Sequence, residues 1–511
     1  MSIKLKQNNQ TIAKNTLFLY LRLAIVMAVN LYSTRVVLEV LGVSDYGTYN
    51  IVCGFVSMFG VLNTSMSNGI QRFYNYELGK GGESALLRVF NTSIIIQIVL
   101  AFIIVVILET VGLWYLNYQM EIPSDRMVAA NYIYQFSVIS MAFVILQVPY
   151  GAAILAHEKM DFYAIVCILD VFIKLIVVII IPYIPNDSLI MYGLLLSLVA
   201  VLNFICNYAY CKHKFTYLKF QNYFDKPLFK TMFTFSGWNL FGTFAYMMKG
   251  QGVNVLLNAF WGTIVNAANG IATQISSVIQ SFALNLTLAF KPQLTQSYAQ
   301  GDYQRTESLM FSMSKLSFTL VSIIAIPIMV DLDFILSLWL GENVPDHTIL
   351  FTRLVIITML VSVLNTPITQ VIHATGKMRR YQLTTSIIIC STLPISWIFL
   401  KLGFAPESVF YVGIVVTIIN QVACVGVLKT VFNYDICKYM QEVALFCCLI
   451  LIAPLFGAYC IYSNFSVSII QFIMMFIVCT ILICMSALLL FNKEEKQMIY
   501  LMCNKILKTK K

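Results

Sequence analysis

Two stretches of this chain repeat one another and set its architecture. Leu146–Tyr163 reads LQVPYGAAILAHEKMDFY, and Leu364–Tyr381 reads LNTPITQVIHATGKMRRY. Seven of the eighteen positions are identical at a constant offset of 218, without a gap. Further matches extend the repeat at offsets of 216 to 222, namely Lys14/Lys230, Gly42/Gly262 and Gly79/Gly301. Self-similarity of this kind indicates two copies of one structural unit.

The composition excludes most classes of protein. Of the 511 residues, 59% are hydrophobic and only 11% are charged, and the mean hydropathy is +0.81. Soluble domains carry about 25% charged residues, so a soluble enzyme, a disordered chain and a secreted disulfide scaffold are excluded. The thirteen cysteines form no CxxC pair, and the four histidines are scattered. We therefore expect no metal site and no cofactor.

Apolar runs follow one another along the whole chain. A membrane-spanning helix needs about 20 mainly apolar residues, and about fourteen runs meet that length. They lie at 17–41, 48–70, 89–116, 128–155, 162–184, 188–210, 229–251, 263–290, 308–330, 348–373, 382–402, 408–430, 441–462 and 466–491. The sequence predicts an all-α polytopic membrane protein with two six-helix repeats. The predicted parts are an N-terminal lobe (1–225), a C-terminal lobe (226–435), an extra helix pair (436–492) and a basic tail (493–511).

The distribution of lysine and arginine predicts the orientation. With alternating spans, 26 of the 33 basic residues fall on the side of the N-terminus, and only Arg126 and Lys401 fall in loops on the other side. Basic residues concentrate on the cytoplasmic side of membrane proteins. Both termini are therefore predicted to be cytoplasmic, and the net charge of +10 reflects this face rather than nucleic-acid binding.

The even number of helices per copy makes the two repeats parallel. Transporters built from parallel repeats bind substrate between their halves, which rock to alternate access. Transport is favoured over a duplication kept for packing alone. Pro149 and Pro367 occupy equivalent positions within helices, where a proline removes a backbone donor and bends the helix. They are candidate hinges, with static kinks as the alternative.

At these residues the chain resembles a known family. The features are LGVSDYGTYN (Leu41–Asn50) after a helix containing Arg22 and Arg35, the Gly79 and Gly301 loops, SLWLGE (Ser337–Glu342), and an AxxKM turn after the fourth and tenth spans. Together they resemble the polysaccharide-lipid flippases, the Wzx-type O-antigen transporters of the superfamily that also holds the multidrug exporters. The resemblance covers the whole chain.

The resemblance implies a substrate, partners and a location. Similar proteins move undecaprenyl-diphosphate-linked oligosaccharide from the cytoplasmic to the periplasmic leaflet of the bacterial inner membrane. The lipid-linked oligosaccharide, the bilayer, a polysaccharide polymerase and a chain-length regulator are the implied partners. The glycan itself, whether O-antigen, capsule or exopolysaccharide, stays open.

Five basic residues within or at the ends of spans are candidate contacts for the anionic diphosphate. A charge in the bilayer is costly and usually faces a cavity or a partner, and arginine can bond two phosphate oxygens at once. Arg22 either lines an inward-facing cavity or snorkels to the interface. Arg35 either binds substrate or pairs with Glu39, four residues later. Lys249 and Arg353 either receive the diphosphate near the outer face or anchor the helix ends.

Lys174 is the fifth candidate, and it lies four residues after Asp170 in the fifth span. The spacing places both on one helix face. Asp170 is a candidate ion-coupling residue at which a proton or sodium ion competes with Lys174. The alternative is a structural ion pair, and the second repeat carries Ile388 and Thr392 at these positions.

Three other functions compete with the flippase. A multidrug or cation antiporter of the same superfamily would use carboxylates in the first lobe, which Asp170 leaves open. An enzyme would need a larger outer loop than this chain offers, and the DxD spelling of Asp331–Asp333 is a lone match; we expect no enzymatic activity. A scaffold for glycan assembly is the third alternative.

Overall fold

The computed structural model is helical throughout the residues it describes, which are 2–80, 82–118, 120, 122, 124–185, 187–221, 225–340, 345–492 and 495–496. The helices are α1 (Ser2–Ser57), α2 (Gly60–Lys80), α3 (Glu83–Tyr118), α4 (Ser124–Ala156), α5 (Met160–Tyr183), α6 (Ser188–Lys214), α7 (Lys226–Ala299), α8 (Tyr303–Val330), α9 (Leu332–Leu340), α10 (Thr348–Thr375), α11 (Met378–Lys401), α12 (Ser408–Val431), α13 (Ile436–Asn464) and α14 (Ile469–Leu490). The predicted all-α fold is confirmed.

The fourteen predicted spans all fall on helices, although not one to a helix. α1 carries the first span and the start of the second, and α7 carries both the seventh and the eighth. Ten other described helices are long and apolar enough to cross a membrane. The short helix α9 was not predicted as a separate element. Of the predicted basic tail, only residues 495–496 are described.

Gly42 explains how α1 holds two spans. Its φ of +77° interrupts the helical backbone between them. Left-handed φ is costly for residues with a side chain and nearly free for glycine. The glycine of LGVSDYG therefore allows the chain to turn at the end of the first span.

The AxxKM turns of the two repeats share a backbone feature. Glu158 has φ +58°, and Gly376, exactly one repeat later at offset 218, has φ +76°. A left-handed residue ends α4 and α10 alike, because reversing direction after a helix commonly requires one at this position. The second repeat meets the requirement with glycine, and the first meets it with glutamate at a steric cost.

Residues 17–240 form one compact unit. Within it α4 packs against α2, α3 and α6. Apolar side chains fill the space between these helices, and the buried Tyr134 hydroxyl donates a 2.6 Å hydrogen bond to the Leu108 carbonyl. That carbonyl begins a π-helical turn, Leu108–Gly112, where a wider helix leaves backbone groups to be satisfied by side chains.

Residues 1–16 and 241–511 form the other unit. Here α12 packs against α10 and α11, while α13 and α14 pack against each other and against α8. A buried ion cluster connects α8 to this C-terminal pair. Lys315 Nζ on α8 lies 3.0 Å from Glu495, which follows α14, and 3.5 Å from Glu442 of α13. Lys315 is 1% exposed, and the two carboxylates offset part of the cost of burying its ammonium group. The contacts divide the chain after residue 240, inside α7, whereas the sequence places the lobe boundary at residue 225.

The two paired prolines lie in different local structures. α4 continues without interruption through the buried Pro149. In contrast, α10 contains a turn at Leu364, three residues before Pro367. Proline is well tolerated in the first turn of a helix, so Pro367 suits the start of the second half of α10. Hinge motion at either proline stays a prediction.

Candidate functional site

The unit formed by residues 17–240 contains a cavity of about 560 Å³. The end of α1 and parts of α4, α5 and α6 line it, and both Asp170 and Lys174 of α5 face it. Hydroxyl and amide side chains complete the polar part of the wall, including Ser137, Gln147 and Asn203. The two charged residues that the sequence singled out in the fifth span therefore share one cavity.

Asp170 is held from two sides. Lys174 Nζ lies 2.8 Å from Asp170 Oδ2, and the Asn203 amide of α6 donates a 2.6 Å hydrogen bond to Oδ1. The Lys174 side chain is 46% exposed, against 19% for Asp170. The arrangement presents an ammonium toward the cavity and keeps the carboxylate behind it. Such a pair can act as a structural ion pair or exchange its internal cation for a proton or metal ion.

The unit that contains residues 241–511 has its own cavity of about 300 Å³. α7, α10, α11 and α12 line it. Lys249 of α7 lies in the wall, and no aspartate or glutamate is among the described residues that line this cavity. The rest of the wall combines hydroxyl and amide side chains with apolar ones.

The two cavities are related by the internal repeat. Most residues that line the first have a counterpart 218 or 220 positions later that lines the second. The pairs include Tyr49/Asn269, Cys53/Thr273, Met141/Met359, Gln147/Asn365, Lys174/Thr392 and Ala200/Asn420. Each unit therefore builds the same hollow from equivalent helices, while the charged groups differ between the copies.

The loops on the predicted outer side carry a second repeat-related feature. In the first unit, Arg126 in the first turn of α4 binds Asp45 and Asp187 with its guanidinium, with a 2.7 Å contact to each carboxylate. In the second unit, His347 directly before α10 contacts Glu407 through Nδ1. Arg126/His347 and Asp187/Glu407 are equivalent at offsets of 221 and 220. Both copies thus connect the start of one helix to the start of another, with different basic residues.

The remaining predicted substrate contacts lie elsewhere in the two units. Arg22 packs over the Tyr163 ring of α5 at 5.2 Å from the centroid and lies 3.8 Å from Cys167 Sγ. Arg353 bonds the Met329 carbonyl and Asp333, both at 3.2 Å, which fits the anchoring alternative. The side chain of Arg35 lies outside the described part of the chain, as do Gly341 and Glu342 of the SLWLGE motif.

Several polar residues noted in the sequence have local partners. Asn239 donates to the Ser65 carbonyl, and Asn254 accepts a 2.6 Å hydrogen bond from Asn269. These bonds join helical segments. The first aspartate of the DxD spelling, Asp331, is 1% exposed, and neither of its carboxylate oxygens has a hydrogen-bond partner among the described residues. Burial, with the nearby charge of Asp333 adding to it, raises the pKa of Asp331.

Sequence reasoning missed Asn203 and the His347–Glu407 pair. The pair was accessible, because extending the repeat offset to the outer loops places His347 opposite Arg126 and Glu407 opposite Asp187. The contact of Asn203 with Asp170 could not be predicted in this way, because nothing in the spacing of α5 and α6 reveals which polar group of one helix reaches the other.

No protein-family model and no curated protein sequence match this chain. Several solved structures share its fold. A MATE protein in the bent conformation aligns with a TM-score of 0.71 and 12% identity, over 84% of this chain and 98% of that one. The outward-facing form of a multidrug resistance MATE family transporter of the MOP superfamily gives a TM-score of 0.70 and 12% identity, over 83% and 97%.

A third structure is a MOP superfamily transporter from Pyrococcus furiosus, described as having a binding pocket of reverse polarity that suggests a different function. It aligns with a TM-score of 0.67 and 11% identity, over 84% of this chain and 99% of that one. At such identities the likeness concerns the fold alone. The chain therefore has a MATE-like fold.

Proposed function

We propose that this protein is a membrane transporter that moves a polyprenyl-diphosphate-linked oligosaccharide from the cytoplasmic to the periplasmic leaflet. The observation that carries the proposal is the pair of repeat-related units, each with a cavity lined by equivalent positions, in a fold like that of MATE transporters. In parallel-repeat transporters the two halves rock around a central substrate. Alternating access of the two lobes is the mechanism that we propose here, with bending at Pro149 and Pro367.

The sign of the intramembrane charge favours an anionic cargo. Asp170 is already neutralised by Lys174, and the second cavity holds Lys249 without a lining carboxylate. Arg22 adds a third basic group, stacked on Tyr163. A lipid diphosphate complements such a surface because its oxygens accept charge-assisted hydrogen bonds. In this proposal Arg22, Arg35 and Lys174 contact the head group inside, and Lys249 and Arg353 receive it outside.

The proposal includes a location and partners. The protein would span the bacterial inner membrane with both termini in the cytoplasm, consistent with the concentration of basic residues on one side. The lipid-linked sugar would be supplied by glycosyl transfer on the cytoplasmic face and consumed by a polymerase with its chain-length regulator on the other. Asp170 would couple transport to a proton or sodium gradient.

The second candidate is a multidrug or cation antiporter. It is favoured by the multidrug resistance transporter among the similar structures and by the carboxylate of Asp170 in the first cavity. A drug cation would have to displace Lys174 from Asp170. The two candidates differ in the charge of their cargo, which makes them separable by experiment.

Reconstituted proteoliposomes test the proposal. A fluorescent polyprenyl-diphosphate oligosaccharide placed in one leaflet should become accessible to a membrane-impermeant quencher on the other side only when the protein is present. Arg22→Ala should slow this flipping at least about tenfold, the equivalent of 1.4 kcal/mol. Lys401→Ala, which removes an exposed lysine at the end of α11, serves as the matched control and should flip at the wild-type rate.

A parallel assay follows gradient-driven extrusion of ethidium from the same vesicles. Extrusion of ethidium without flipping of the lipid-linked sugar would replace the flippase by the antiporter. Neither activity, in protein that keeps its wild-type unfolding midpoint, would contradict transport of either cargo.

A further inference from the structure

We infer that the second-unit cavity binds a small inorganic monoanion at Lys249. The Lys249 ammonium makes no hydrogen bond or ion pair with the described residues, and no carboxylate is among those that line the cavity. It is nevertheless only partly exposed and lies within the predicted seventh span. This inference does not depend on the identity of the transported cargo.

An ammonium in such a position needs a counterion. A charged side chain within a membrane span is costly and usually faces a partner or a water-filled cavity, and an unpaired buried charge is more costly than a paired one. In the first unit the protein itself supplies the counterion, because Asp170 neutralises Lys174. At the equivalent positions of the second unit stand Ile388 and Thr392, so the chain supplies the cation without its partner.

Neutral donors in the same wall complete a site for an anion. Tyr246 precedes Lys249 by three residues on α7, and Ser276 and Gln280 lie four apart further along it, so each pair shares a helix face. Across the described residues, the hydroxyls of Tyr246 and Ser276 and the amide of Gln280 have no hydrogen-bond partner.

Some of the other hydroxyls in the wall are already engaged, since Thr273, Thr358 and Ser362 donate to backbone carbonyls of their own helices. The Thr392 hydroxyl has no hydrogen-bond partner among the described residues and adds a further donor to the wall. An anion in the cavity can accept from the ammonium and from neutral donors of this kind, whereas a metal cation would meet the positive charge of Lys249.

The size and charge of the site restrict the ligand. The cavity of about 300 Å³ accommodates a small ion with some water but is small for a sugar chain. One full positive charge balances one negative charge. Chloride is the appropriate probe because it is monovalent, spherical and carries no proton of its own.

Equilibrium dialysis of the full-length protein in detergent tests the inference. Radiolabelled chloride is the probe, and sodium gluconate holds the ionic strength constant. Wild type should show one saturable site per chain. Lys249→Met should weaken chloride binding at least about tenfold, and Ser276→Ala should weaken it by a smaller factor. Lys249→Arg, which keeps the charge, should retain binding and guards against a variant that fails to fold.

Lys401→Met is the control for a lysine lost outside the cavity and should bind chloride like wild type. Equal chloride binding by wild type and Lys249→Met would overturn the inference, as would the absence of any saturable site in wild type, which would mean that Lys249 is accommodated as a neutral amine. A site that binds pyrophosphate but not chloride would also overturn it. Loss of lipid flipping with chloride binding intact would count against the proposed function alone.

Discussion

At the scale of single residues, the repeat is visible in backbone conformation as well as in sequence. Glu158 and Gly376 occupy the same left-handed position at the end of equivalent helices, although one is glutamate and the other glycine. A side chain in this conformation costs about 1–2 kcal/mol. The turn geometry is thus imposed by the helices on either side, and the residue adapts to it.

This cost predicts that replacing a glycine by alanine destabilises the protein at the left-handed position 376 but not at a helical position. Gly376→Ala should lower the unfolding free energy by about 1 kcal/mol, because alanine must adopt φ near +76°. Thermal unfolding in detergent measures the change. Gly426→Ala is the matched control, since its new Cβ would meet no atom within 4 Å in α12 and helical alanine is favoured by up to about 1 kcal/mol. Equal behaviour of the two variants would contradict the argument.

Asp331 gives a pH-dependent prediction. Because burial raises the pKa of this carboxyl above its ordinary value of 3.8, the folded state binds the proton more tightly than the unfolded state. Its contribution to stability is therefore full below pH 3.8 and is lost as the pH rises through the folded value. Asp331→Asn removes this loss, so its unfolding midpoint should exceed that of wild type by more at pH 8 than at pH 4.

Asp333→Asn is the control for this effect. Asp333 is half-exposed and paired with Arg353, so its replacement should bring no gain at pH 8. An Asp331→Asn advantage that stayed constant with pH would show that the buried carboxyl does not titrate as described.

At the scale of elements, each unit connects the start of one helix to the start of another. The first unit uses an arginine between two carboxylates, and the second uses a single histidine and glutamate. Arginine stays charged at all relevant pH values, so the contact in the first unit is a permanent ion pair. The contact in the second unit is an ion pair only if the imidazole is protonated.

His347→Arg should convert this contact into a permanent ion pair. His347 and Glu407 are 32% and 13% exposed, so we expect a gain in unfolding free energy of about 0.2–1 kcal/mol at pH 8. The unfolding midpoint of the variant in detergent measures it. A midpoint equal to or below that of wild type would contradict the expected ion pair.

At the scale of the whole molecule, the internal repeat gives two equivalent cavities that differ in the charged residues lining them. Helix packing and backbone geometry were kept between the copies, since the lining positions correspond through the repeat. The charges were not kept, since Asp170 and Lys174 occur only in the first copy and Lys249 only in the second. The architecture is thus shared, and specificity resides in a few side chains.

Removing the first-unit pair distinguishes ion coupling from structure. The double variant Asp170→Asn, Lys174→Met replaces both charges with neutral groups of similar size. If the pair couples transport to an ion gradient, lipid flipping by this variant should no longer respond to an imposed proton or sodium gradient, while its unfolding midpoint stays near that of wild type. A structural pair would give the reverse, namely a lower midpoint and an intact response to the gradient.

The sequence by itself determined the class of fold. Long apolar runs must be helical in a bilayer, because every backbone polar group there needs a partner within its own segment, and the match of Leu146–Tyr163 with Leu364–Tyr381 required two copies of one unit. Only the tertiary structure decided which polar groups meet: Asn203 reaches Asp170, Glu495 reaches Lys315, and Lys249 reaches no carboxylate in the described residues. Helix formation is local and periodic, so composition reveals it, whereas contacts between helices depend on how far each helix is rotated and displaced, which the spacing of residues along one chain does not specify.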